Sequence, residues 1–130
     1  MSPAEVKTRA AHAADYLMVA TLRLEPGDQN SYNTTGSNAV LAGIAAADAI
    51  CGFVLGYRAQ GHDHKQAVSL LTAAMKYRSP AAAKNLARLL EAKSLTQYGS
   101  NHITEARARD LVRSAERLVA EMNQVFSGRQ

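Results

Sequence analysis

The chain has 130 residues, 47% of them hydrophobic and 20% charged, with a formal net charge of +4 and a pI near 9.5. That length fits one domain with a real core, and that balance excludes a disordered chain. A single cysteine excludes an intramolecular disulfide, and extended runs of Val, Ile, Thr and aromatics are missing, so no sheet is expected.

Ser2-Pro3-Ala4-Glu5 opens the first helix: serine at the cap, proline in the first turn, an acid at the positive end. Val6, Ala10, Ala13, Ala14, Leu17, Met18 and Leu24 form its apolar stripe, and Glu25-Pro26-Gly27-Asp28 ends it, so the helix spans 3–24. With Glu5 and Asp15 and no clean apolar run, this segment does not read as a signal peptide. The next ten residues, GDQNSYNTTG, are rich in turn formers but include the large Tyr32. The second helix begins either near Ser31 or at Ser37, and the sequence leaves both open.

From Ser37 to Arg58 the chain is apolar or small at nearly every position, which predicts a helix buried on several sides. Ala45, Ala49, Gly52 and Gly56 recur at helical spacing and would let a neighbouring backbone approach closely. The segment is long enough for a bilayer, but Asp48 sits at its middle, where an ionised carboxylate is costly in lipid. A central helix of a water-soluble bundle is the expectation, with no membrane partner. Asp48 then needs either a Tyr, Arg or Ser from a neighbouring helix or a place in a functional cleft. Cys51 lies in the same helix and reads as a small buried group of a reducing, cytoplasmic protein.

Gly61 stops this helix, and Asp63 caps the third, whose inward face is Ala67, Leu70, Leu71, Ala74 and Met75. Ser79-Pro80 starts the fourth, with Leu86, Leu89, Leu90 and Leu95 as its buried stripe. A loop over Tyr98-Gly99-Ser100-Asn101 leads to Thr104, the cap of the last helix. There Leu111, Val112, Ala115, Leu118, Val119, Met122, Val125 and Phe126 share one arc, with Arg109, Arg113 and Arg117 stacked opposite. The predicted architecture is an all-α, up-and-down bundle of four to five helices in one domain.

Three places carry candidate chemistry. Arg58, His62, Asp63 and His64 crowd the junction of the second and third helices. Arginine grips phosphate with forked donors and histidine moves a proton near neutral pH, which suits metal-independent RNA cleavage; a polar loop at a helix start has the same composition. Three adjacent loop residues chelate one ion poorly, and His12 and His102 are remote in sequence, so neither a metal nor a cofactor is expected. The stripe Arg109, Arg113, Arg117 can track RNA phosphates or be a solvated face. Tyr98, after Lys93 and Gln97, either lines a binding end of the bundle or is a core tyrosine with a wet hydroxyl. Asp48 with Tyr98 would also serve a bundle that binds a small ligand.

Taken together, the Ala-rich helix with one acid (AGIAAADAICGFVLG), the histidine turn (GHDHKQAVSLL), the segment LLEAKSLTQYG and the final ITEARARDLVRSAERLV resemble the HEPN superfamily. The likeness runs over roughly residues 8 to 122. HEPN proteins are small helical bundles of toxin–antitoxin and defence systems. The resemblance implies a four-helix core and a homodimer. In many members it also implies an RNase site of Arg, four to six residues, then His, which Arg58 and His64 match with five residues between. The family's catalytic pair usually lies later in the bundle, nearer the last helix, where this chain has Lys93, Gln97 and Tyr98 instead. Members without the motif partner a nucleotidyltransferase or a toxin, or bind RNA or nucleotides. The expectation is a cytoplasmic RNA-binding or RNA-cleaving module, the alternative a non-catalytic interaction subunit.

Overall fold

A computed structural model describes residues 1–25, 29–61, 63–97 and 102–128, with the backbone alone at Gln29. Among them the chain is helical without a strand: α1 Pro3–Leu24, α2 Gln29–Leu55, α3 His64–Ala74, α4 Ala81–Glu91, α5 Lys93–Gln97 and α6 Glu105–Phe126. Six helices replace the four to five expected, because the predicted fourth helix is broken at Ala92. There the Ala92 amide bonds the Leu89 carbonyl three residues back, and α5 restarts from the Ala92 carbonyl.

The caps form where the sequence placed them except at α4, which begins at Ala81 with Pro80 in the cap position, one residue later than the expected Ser79 cap. Ser2 Oγ accepts the Glu5 amide at 3.1 Å while Glu5 accepts the Ser2 amide at 2.9 Å, a reciprocal capping box. Asp63 Oδ1 accepts the Lys65 and Gln66 amides, Ser79 Oγ the Ala81 amide, and Thr104 Oγ1 the Arg107 amide. Each satisfies amides that the first helical turn leaves without a partner.

α2 starts at Gln29, which takes the earlier of the two expected starts, near Ser31, and the turn-forming residues become its cross-links. Thr35 Oγ1, fully buried, donates to the Ala20 carbonyl of α1. Asn33 accepts the Ile103 amide at 2.8 Å, and the Tyr32 hydroxyl donates to Glu105 at 3.0 Å. Tertiary bonds of this kind outweigh a weak local propensity. At its other end α2 stops at Leu55, before the expected Arg58 and well before Gly61. Gly56 takes φ +87°, a left-handed turn for which glycine is suited, so it ends the helix rather than admitting a neighbour.

Thr35 beside Ala20 and Gly52 beside Val6 make α1 and α2 an antiparallel pair. Tyr32 on Glu105 and Phe53 against Phe126 (centroids 5.1 Å apart) set α6 parallel to α2. Thr96 faces Gly36 and Leu89 faces Gly43, so α4–α5 runs antiparallel to α2. The result is an up-and-down bundle with α3 packed against α2 and α4 in the long connection. α2 is long and apolar enough to cross a membrane by composition, and most of it is buried against α1, α4 and α6. Its core side chains are small: Ala39, Ala42, Ala45, Ala46 and Ala49 are wholly buried, with Val40 and Ile50 as the larger contributors.

The α6 stripe is buried as expected apart from a half-buried Phe126. Two stripes differ. On α1 the buried line is Val6, Ala13, Ala20 and Leu24, while Ala14 and Met18 are exposed. On α5 Thr96 is buried and Leu95 exposed, because the break at Ala92 shifts the phase of the face. The expected loop Tyr98–Asn101, the Pro26–Asp28 stop and His62 lie outside the described residues.

A Cβ on Gly43 would collide with Leu89 Cδ1, inside a core where Leu89 has no exposure. Gly43→Ala should therefore destabilise the native protein, overpacking at ~1–3 kcal/mol exceeding a helix-propensity gain of ~1 kcal/mol. In a Leu89→Ala background the same change should stabilise, and a double-mutant cycle by denaturant melting checks the reversal. Burial, and secondarily the charge of Asp48, push the Cys51 thiol up to about 12. Alkylation of Cys51 at neutral pH should thus proceed only at the rate of unfolding; rapid labelling of the native protein would contradict this packing.

Candidate functional site

The end of α2 supplies Asp48, the only acid of its buried stretch, and α1 meets it with Arg9. Arg9 donates from Nε at 3.2 Å and from Nη2 at 2.9 Å, both to Asp48 Oδ2. Past the helix end the chain turns back at Gly56, and Arg58 Nη1 reaches the same oxygen at 3.3 Å. One carboxylate oxygen thus joins α1, α2 and the linker to α3. Asp48 is 15% exposed, Arg9 21% and Arg58 44%, so the first pair is the drier and Arg58 keeps donors at the surface. Both readings of Asp48 hold together: it is partnered by arginines, and it lines a cleft.

That cleft measures about 300 Å³ and opens between α2, the 58–63 linker, the start of α3 and the α4–α5 junction. Its floor is apolar, from Ile44, Ala47, Leu86 and Leu90. Its rim carries Asp48, Arg58, Asp63, His64 and Lys93. Asp63 is committed to the α3 amides, which leaves Arg58, His64 and Lys93 as the groups free to meet a ligand. His64 is held by its place as the first residue of α3, and Lys93 by its place as the first of α5. Arg58, His64, Lys93 and Asp48, scattered over 46 positions of sequence, therefore meet at one opening.

Three basic or protonatable groups around an apolar floor, with Asp48 already bridged by two guanidiniums and Asp63 by the α3 amides, favour an anion that carries an apolar or planar portion. A phosphodiester with its nucleoside meets that description.

No family model matches the chain, and no curated protein matches it. The chemistry of the cleft is what bears on function.

The arginine stripe separates. Arg109 bonds Glu105 at 2.8 Å, and Glu105 also accepts from Tyr32. The Arg109 guanidinium, then the Tyr32 hydroxyl, hold the Glu105 carboxyl below its ordinary value, and Glu105 in turn raises Arg109. Arg109 thus belongs to the α2–α6 junction. Arg113 and Arg117 line a different groove, against α4, together with Arg88 and Arg107. Neither borders the cleft. Tyr98 lies outside the described residues. Among the described residues no three His, Cys, Asp or Glu side chains are placed to hold a metal ion.

Sequence reading passed over Arg9, Arg88 and Arg107. Arg9 had a signal: it stands three residues after Val6 and four before Ala13, on the shoulder of the buried α1 line. Its partner on α2 follows only from how the two helices pair.

Asp48→Ala should destabilise the fold more than Arg58→Ala. The first strands the mostly buried Arg9, at about 1–3 kcal/mol for a lost charged hydrogen bond. The second removes a partner that water replaces, at below ~1 kcal/mol. Thermal melts of the two variants check the order.

Proposed function

We propose that the chain is an HEPN-like module of a toxin–antitoxin or defence system, a cytoplasmic homodimer that binds and cleaves RNA without a metal. The observation that supports this is the meeting of Arg58, His64 and Lys93 at one cleft beside the Asp48 anchor. In the proposed step, neutral His64 takes the 2′-hydroxyl proton as that oxygen bonds the adjacent phosphorus. Arg58, steadied by Asp48, neutralises the phosphorane, with Lys93 adding positive charge. The bond from phosphorus to the 5′ oxygen breaks, water protonates that oxygen, and the products are a 2′,3′-cyclic phosphate and a 5′-hydroxyl. Positioned proton transfer of this kind is worth ~10²–10⁴-fold in rate.

The alternative, a non-catalytic subunit that partners a nucleotidyltransferase or toxin, draws on a different face. Met18 is 54% and Leu22 65% exposed on α1, beside Leu17 and Val119 in a shallow apolar groove. A partner helix covering that face would explain why α1 keeps large apolar residues there.

Cleavage of structured and single-stranded RNA in EDTA separates the two. The wild type should cleave, ending in cyclic phosphate, while His64→Ala and Arg58→Ala should lose at least ~100-fold with helicity unchanged. Equal cleavage by variants and wild type would remove the site from the cleft; no cleavage by any of them would move the weight to the partner subunit.

A further inference from the structure

α4 has two sides. Leu86 and Leu90 face the cleft, while Arg88 and Glu91 face α6 across a second groove of about 500 Å³. This groove is lined by four arginines, Arg88, Arg107, Arg113 and Arg117, against two acids, Glu91 and Asp110. Arg113 donates to Asp110 at 3.0 Å, and Arg88 to the side-chain amide oxygen of Asn85 at 3.3 Å. Arg107 and Arg117 make no ion pair with the described residues. Both are exposed, at the two ends of the groove.

We propose that the α4–α6 groove is a binding site for the sugar–phosphate backbone of RNA, separate from the cleft and on the opposite side of α4.

Three features favour this ligand. The cations are all arginine, whose planar fork matches phosphate oxygens in pairs where lysine offers a point charge. Arg107 and Arg117 are ten residues apart on one helix, about 15 Å, so a strand lying along α6 passes several phosphates between them. The groove also lacks an exposed apolar anchor: Leu111 at its floor is 2% exposed, and the rest of the lining is charged or polar. An acidic protein partner would need such an anchor at its centre, whereas a backbone ligand does not. The expected stripe is thereby corrected in membership. Arg107 replaces Arg109, because residues 107, 110, 114 and 117 follow the helical line that turns toward α4, and 109 does not.

The inference rests on the RNA reading of the cleft only for the kind of polyanion, and its test is kept apart from cleavage. The probe is a fluorescent single-stranded 2′-O-methyl RNA, which the cleft chemistry cannot cut, followed by anisotropy over a range of salt. The wild type should bind with a steep salt dependence. The double change Arg107→Gln and Arg117→Gln should weaken binding and lower the log–log salt slope by about 1.4, the counterions of two single-strand phosphate contacts. The double change to Lys should keep most of the slope, showing that charge and not folding was lost; circular dichroism confirms both folds. An unchanged affinity and slope in the Gln variant, or no binding by the wild type, overturns the proposal. Binding with the expected slope by a protein whose Arg58→Ala variant cleaves as well as the wild type supports the groove and removes the cleft reading alone.

Discussion

The run of alanine and glycine at the buried positions of α2 is the constraint on which the remaining structure depends. All five other helices contact it, α1 and α6 most extensively, and alanine and glycine at the contacts let their backbones come close. Close approach leaves little volume to fill, so the core needs few aromatics. It also makes the contacts specific: Gly43 has Leu89 against it, and neither can change size without the other. The larger apolar groups are supplied by the neighbours, Leu71, Leu86, Leu89 and Leu118, all essentially without exposure.

An interior of alanines would not by itself fix the angle at which the linker leaves α2. Asp48 does so. Its Oδ2 receives donors from α1 and from beyond the helix end, so the carboxylate sets both where α1 lies and where Arg58 projects. A charged group this sheltered is retained at a desolvation cost, and two guanidiniums offset it. The arrangement links stability to the cleft: the bond that holds α1 to α2 shares its acceptor atom with the bond that aims Arg58.

α4 then separates two surfaces of different character. One side closes a cleft with an apolar floor and a basic rim. The other side, with α6, forms a groove whose lining is polar and rich in arginine. The Ala92 break contributes to the first, since it is what presents Lys93 at the start of α5 on the rim. Basic charge on this chain is therefore not an even coat. It is gathered at particular helix junctions, while Arg109 is spent on joining α6 to α2.

Local chemistry settled a good deal of this from sequence: the helical class, the span of α1, the α6 stripe, and the caps at Ser2, Asp63 and Thr104. Each of those depends on residues within a turn or two of one another, so the chain alone specifies them. The start of α2 does not, because Thr35, Asn33 and Tyr32 choose the helix only when Ala20, Ile103 and Glu105 are there to receive them. The same holds for the sites. Sequence named Arg58 and His64 as one cluster and Asp48 and Lys93 for separate reasons, and tertiary structure brought the four to one opening. It also took Arg109 out of the basic stripe and put Arg107 and Arg88 into it. Pairing between helices decides which side of a helix is a wall, a rim or solvent, and a single chain's periodicity carries no record of which helix will be the neighbour.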